Sequence, residues 1–207
     1  MPIADLTRQR LARAALEHFT TRGYETTTTA EIAKKAGVSE GAIYRHFTGK
    51  QQLLNDLYRA SARWATEVLQ QAEAAGGTPR ERLARLAQAL VAGAGREAAV
   101  VRLFFLQRHG DLLDPESRDA AQQFHAGLER LVAEGKADHS VRPGSAAVWA
   151  AVWLGVVSLA LDRLSSREWD EKDAGVGLVL DGAWNAIGVG LSDPKGLPDG
   201  RGRTVGP

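Results

Sequence analysis

The sequence predicts an all-α fold in which a small N-terminal three-helix unit, carrying a helix-turn-helix, precedes a larger helical domain. Two observations point to helices. Apolar residues recur at helical spacing along most of the 207-residue chain, and no run of alternating β-branched residues suggests a sheet. Gly- and Pro-containing breaks fall where such helices would end. A third observation divides the chain: the 3 tyrosines lie at or before Tyr58, whereas the 5 tryptophans begin at Trp64.

The first helix is expected from about Asp5 to Arg22. Leu11, Ala15 and Phe19 share one face, and Gly23 is the stop. Two short helices fit between Thr28 and Phe47, followed by a long one from Lys50 to about Ala75. Gly76-Gly77-Thr78-Pro79 breaks the chain, and Pro79 suits the first position of the next helix. Further breaks at 93–95, 109–115, 135–144 and 165–172 leave helices near 79–92, 96–108, 115–134, 145–164 and 173–189. The resulting division is 5–65 for the N-terminal unit, 66–191 for the helical domain, and a flexible tail over 192–207, rich in Gly, Pro and charge.

Composition narrows the chemistry. A hydrophobic content of 44% is enough for a buried core, and the absence of cysteine excludes disulfides, thiolate metal sites and cysteine nucleophiles. The N-terminus turns polar at once, so no signal peptide is expected and the location is read as cytoplasmic. The stretch from Ala146 to Leu164 is the most apolar, but Ser158 and Asp162 interrupt it. It is read as a buried helix, with no membrane as partner. The net charge is only +1. The first 50 residues nevertheless hold 8 basic and 5 acidic side chains, so the basic excess sits at one end.

The segment from Thr28 to Phe47 can be taken one constraint at a time. Thr28 with Glu31 three residues on is a capping box, which satisfies the free N–H groups of a helix start. Ile32, Ala33 and Ala36 form the buried stripe, and Gly37 ends the helix because glycine tolerates φ > 0. Ser39 then caps the next helix, with Val38 able to pack on Ile43. Two short helices joined by a tight turn, sharing a core of Ile32, Ala36, Val38, Ile43 and Phe47, make a helix-turn-helix at 28–47. Its second helix carries residues suited to DNA. Gly41 and Ala42 permit close approach to base edges, and Arg45 reaches a guanine or a phosphate. Tyr44, His46, Lys50 and the Thr28 hydroxyl suit phosphates.

These residues carry a family likeness. Ala14-Ala15, Phe19, Gly23-Tyr24, Thr27-Thr28, Ile32-Ala33, Ala36-Gly37-Val38-Ser39, Gly41, Ile43-Tyr44, His46-Phe47, Lys50 and Leu53-Leu54 follow one another in order. The run from Leu11 to Leu54 resembles the DNA-binding domain of the TetR family of bacterial transcriptional regulators. The resemblance implies an all-helical dimer that binds a palindromic operator through its N-terminal unit and a small molecule through a divergent C-terminal domain. It implies backbone contacts by Thr28, Ser39, Tyr44, His46 and Lys50, with Glu40, Gly41, Ala42 and Arg45 facing bases; Thr27 is included among the contact positions. Such proteins often carry basic or neutral polar residues where this chain has Ala30 and Glu40. Glu40 either accepts from a cytosine amino group or favours the helix start.

The rest of the chain has no motif of that specificity. Two recognition helices must meet half-sites about 34–36 Å apart, so a homodimer is expected. Its interface is placed on the helices near 145–164 and 173–189, where Ala146, Ala147, Ala150, Ala151 and Gly155 allow close packing. An apolar cavity for an apolar or aromatic effector is expected among Trp64, Leu103, Phe104, Gln107, Phe124, His125, Leu128, Trp149 and Trp153. No cofactor, metal or catalytic residue is assigned. The pairs His125/Glu129 and His109/Asp111 lack a third ligand, and neither a phosphate-binding glycine loop nor a G-x-S-x-G motif is present. The expected activity is that of a homodimeric repressor released from its operator by ligand. The alternative is a constitutive regulator or activator with no pocket.

Overall fold

Helices α1 (Ile3–Thr21), α2 (Thr29–Ala36) and α3 (Glu40–Ile43) form the N-terminal unit, closed by the first turns of α4 (Lys50–Ala74). The computed structural model describes residues 3–190, so the tail expected over 192–207 lies outside the described residues. Leu11, Ala15 and Phe19 are buried as their spacing predicts, against Ile32, Ile43, Leu53 and Leu54. Each of these leucine, isoleucine and phenylalanine side chains contributes about 1.5–3 kcal/mol of burial, an upper figure because unfolded chains already hide part of this surface. Both the N–H and the hydroxyl of Thr48 donate to Gln52 Oε1, at 2.6 and 3.0 Å, which orders the entry into α4.

The body is built from the remainder of α4 with α5 (Pro79–Arg96), α6 (Ala98–Val101), α7 (Pro115–Ala137), α8 (Ala146–Ser165) and α9 (Ala174–Ile187). α4 packs most extensively on α7, and α8 on α9. The only bridge of β type among the described residues is an isolated antiparallel one between Val141 and Gly188. The starts of α5, α7, α8 and α9 each use a side chain that the sequence offers there. Thr78 and Glu81 form a capping box with Pro79 at the first position of α5. Asp114 accepts from the N–H of Ser117 before α7, Ser145 from Val148 before α8, and Asp173 from Gly175 before α9.

Several expected breaks are corrected. Gly93 and Gly95 do not stop a helix, because α5 continues to Arg96. A Cβ on Gly93 would stand 2.4 Å from the Trp64 ring, so this glycine serves close helix packing. Gly135 likewise sits inside α7, where a Cβ would meet Val141 at 2.7 Å. The helix expected over 96–108 is one short α turn followed by a π-helical segment at Arg102–Leu106. The buried-helix reading of the apolar stretch from Ala146 holds for one face only: 33% of the most apolar window of α8 is buried, and by length and composition alone this helix could cross a membrane. Ala150, Trp153, Val157, Ala160 and Leu161 point inward, while Val148, Ala151, Gly155 and Leu159 form an exposed stripe.

The N-terminal unit is tied to the body by polar contacts. Gln107 Nε2 donates to the carbonyl of Phe19 at 3.2 Å, and Arg102 to that of Thr20 at 3.5 Å. Across α4, Asn55 donates to the Leu112 carbonyl at 2.9 Å and accepts from the N–H of Asp114 at 2.8 Å. Arg59 then pairs with both Asp56 and Asp114.

Candidate nucleic-acid interface

A run of four consecutive threonines, Thr26 to Thr29, opens the helix-turn-helix, and the chain gives each a separate task. Thr26 and Thr27 donate to the carbonyls of Arg22 and Gly23, both at 2.7 Å, which closes the turn after α1. Thr28 accepts from the N–H of Glu31 at 3.2 Å while its own N–H donates to Glu31 Oε2 at 2.9 Å. The two bonds from Thr28, backbone first and hydroxyl second, hold the Glu31 carboxyl below the usual carboxylate range. Thr29 donates to Glu40 Oε1 at 3.2 Å across the turn.

Gly37 takes the left-handed conformation, φ 66°, and its N–H returns to the carbonyl of Lys34. Arg10 of α1 braces the turn by donating to the Gly37 carbonyl at 3.3 Å. Ser39 occupies the cap position with extended backbone, but its side chain makes no cap hydrogen bond, contrary to expectation. α3 itself is short: regular helix stops at Ile43, and residues 44–46 continue as turns in which the N–H groups of His46 and Phe47 both donate to the Ile43 carbonyl at 2.9 Å. The expected helix through His46 is therefore one turn of helix and a tight corner. Ile43 at 0% and Phe47 at 3% exposure anchor that corner from beneath.

Above these anchors, Thr28, Ser39, Glu40, Gly41, Tyr44 and Arg45 are exposed, and Ala42, His46 and Lys50 are half-buried. Thr27 is corrected: it is 1% exposed and its hydroxyl is spent on Gly23, so its part is internal. Lys50 is held against Tyr24, its Nζ 2.8 Å from the Tyr24 carbonyl and 4.1 Å from the ring centroid. Three other cations are paired within the unit: Arg22 with Glu31, Lys35 with Glu17, and Arg8 with Asp56. Sequence reasoning missed Thr29, Tyr24 and Arg10 as supports. Four identical side chains in a row carry no signal that tells one hydroxyl's partner from another's.

The expected effector residues lie in several different surroundings. Leu103, Phe104, Phe124, Leu128 and Trp153 are buried, and Phe104 meets Phe124 edge-on at 5.5 Å with His125 stacked 6.3 Å away. Trp64 fills the gap beside Gly93, and Trp149 donates its Nε1 to the Pro143 carbonyl at 3.1 Å. Gln107 borders a cleft of about 350 Å³ at the junction with α1, whereas Trp153 borders a separate crevice of about 140 Å³ beside Leu180 and Trp184. A larger cleft of about 590 Å³ opens between α4 and α7, lined by polar groups including Gln70, Glu73, Asp119 and Arg130. Phe104, Phe105 and Phe124 pack edge to face on one another. Burial pushes the pKa of His109 down, opposed by its hydrogen bond with the Leu103 carbonyl. Among the described residues no cluster of His, Asp and Glu could hold a metal ion.

Residues 11–57 match the sequence profile described as bacterial regulatory proteins, tetR family. The chain is 51% identical over 51 residues to the HTH-type transcriptional regulator SrpR of Pseudomonas putida, covering 25% of this chain and 24% of that protein. SrpR and two further regulators are matched over only 24–36% of their own length. A longer match, 30% identical over 171 residues, joins it to the transcriptional regulator AcuR of Cereibacter sphaeroides, covering 75% of this chain and 77% of that one. A TetR family transcription regulator from Marinobacter aquaeolei VT8 has the same fold, with a TM-score of 0.75 at 21% identity over 89% of this chain and 96% of that one. With residues 11–57 matched by the family profile and the similarity to AcuR covering 75% of the chain, this protein belongs to the TetR family of bacterial transcriptional regulators.

Proposed function

We propose that this protein is a homodimeric, sequence-specific repressor, acting in the cytoplasm, that occupies a palindromic operator and leaves it when a small apolar or aromatic molecule binds the body. One observation carries the DNA-binding part: Glu40, Gly41, Tyr44 and Arg45 face outward from a corner whose other side, Ile43 and Phe47, is locked in the core. A rigid edge with an arginine and a side-chain-free position suits insertion between base edges, and Thr28, Ser39, His46 and Lys50 flank it for phosphates. Gly41 adds support. A Cβ there would meet nothing within 4 Å, so nothing inside the protein requires glycine, while an approaching base edge does.

Residues 5–65 would serve as the reading domain and 66–191 as the regulatory one. The dimer reading rests on the exposed stripe of α8 together with Leu178 of α9, which is 74% exposed. Gly155, Gly177 and Gly182 on the same pair of helices also have open space where a Cβ would stand, as a close helix–helix contact with a second copy would need. Ligand would act through the bonds that join α1 to the π-helical segment and α4 to residues 112–114, shifting the population toward whichever separation of reading edges the bound body favours. The close ring packing of Phe104, Phe105 and Phe124 favours a second reading, a regulator with a filled core and no effector. Selection of bound duplexes from a random pool tests the first claim: a palindrome whose binding weakens steeply with salt is expected, and salt-insensitive or unselective binding would end it. Operator affinity measured with apolar and aromatic compounds separates the two readings.

A further inference from the structure

We infer that Glu40, positioned by Thr29, accepts from the amino group of a cytosine, so that each operator half-site carries a C·G pair at one defined position. This rests on the DNA-binding reading above and names what one residue of that edge selects. Glu40 is exposed at the turn, yet it is not left to wander: Thr29 Oγ1 donates to its Oε1 at 3.2 Å. The Tyr44 hydroxyl stands 3.5 Å from the same Thr29 oxygen, so a chain of donation from Tyr44 to Thr29 to Glu40 is open. Among the described residues Oε2 of Glu40 makes no further hydrogen bond, and beside it Gly41 leaves the approach clear.

The chemistry then narrows the partner. An ionised carboxylate only accepts hydrogen bonds, and phosphates offer none to accept. A lone acid on a surface that must meet a polyanion is repelled unless a donor faces it, and the major-groove donor matched to a carboxylate is the cytosine N4 amino group. A solvated glutamate would gain little from a second helix holding one of its oxygens. A base reader gains, because its ordering is complete before DNA arrives. Thr29 is thus a positioning residue, and Glu40 the group that touches the base.

The test is selection of duplexes from a random pool by the full-length wild type and by Glu40→Gln, Thr29→Val and Thr29→Ser, each first shown to melt as the wild type does. Wild type is expected to select a palindrome with C·G at one position of each half-site and to lose roughly tenfold in affinity when that pair is replaced. Glu40→Gln should keep the rest of the palindrome but lose the cytosine there, shifting toward adenine. Thr29→Val should weaken that one preference severalfold, and Thr29→Ser should restore it. An unchanged base preference in Glu40→Gln overturns the inference and leaves DNA binding standing. A wild type that selects no sequence overturns both, and a Thr29→Val variant identical to wild type removes Thr29 from its role.

Discussion

Glycine marks the difference between the inner helix faces of the body and the exposed corner of the helix-turn-helix. In the body, a Cβ on Gly93, Gly127 or Gly135 would strike Trp64, Leu69 or Val141 at 2.4–2.7 Å, so these positions are closed by the protein's own side chains. In the reading unit, a Cβ on Gly41 would enter open space. A helical glycine costs up to about 1 kcal/mol relative to alanine, and in the body tight interhelical packing offsets that cost. At Gly41 no internal contact offsets it. The polar groups divide in the same way: the body buries rings against one another, whereas the reading unit assigns hydroxyls and an arginine to bracing a single turn. Room left inward serves stability, and room left outward serves a partner.

The comparison can be broken in several places. Phe124→Ala, which empties a fully buried ring site against Phe104 and Phe105, should cost about 3–5 kcal/mol in urea unfolding; a loss below about 1 kcal/mol would mean the ring cluster is loosely packed. Next come two identical changes in opposite halves. Gly93→Ala should destabilise by about 1–3 kcal/mol through overpacking on Trp64. Gly41→Ala should leave the melting temperature unchanged or slightly higher while weakening operator binding by about 1–3 kcal/mol. Equal melting losses in the pair would erase the distinction.

Thr28→Ala removes a capping box and should cost about 1 kcal/mol. It should also let the Glu31 carboxyl return toward its usual range, which an NMR titration reads directly. Because the folded state holds that carboxyl low, its contribution is present at neutral pH and is lost as pH falls through the depressed value. The smallest effect concerns His109, which is 8% exposed and whose pKa burial pushes below the ordinary histidine value of 6.5. Below 6.5 the unfolded chain takes up protons that the folded one still refuses, so stability declines as pH drops from there toward the lowered value. Tryptophan emission, which arises wholly from residues 64 onward, should report a lower urea midpoint at pH 5.5 than at pH 7.5. His109→Gln should flatten that slope, and an unaltered slope would remove His109 from the explanation.

The helix-turn-helix was legible because its signals are local. Thr28 with Glu31, Gly37, and the spacing of Ile32, Ala36, Ile43 and Phe47 each constrain backbone within a turn or two, and the chain obeys them. Family membership followed from the same residues. The body was legible only as helices. Its glycines read as stops although Gly93 and Gly135 are packing surfaces, and no local signal showed that Phe104 and Phe124 would meet edge to face. Whether a glycine stops a helix or admits a neighbour depends on what crosses it, and Trp64 is nearly thirty residues away from Gly93 along the chain.

By itself, then, the sequence determined the helical class, most of the caps and the outward placing of Glu40, Gly41, Tyr44 and Arg45, because capping, φ preference and apolar spacing act over a few residues. Only the tertiary structure decided that Thr27 turns inward, that Thr29 reaches Glu40, and that α8 keeps one apolar face uncovered. Those outcomes depend on which distant surfaces meet, and short-range energetics cannot rank such meetings.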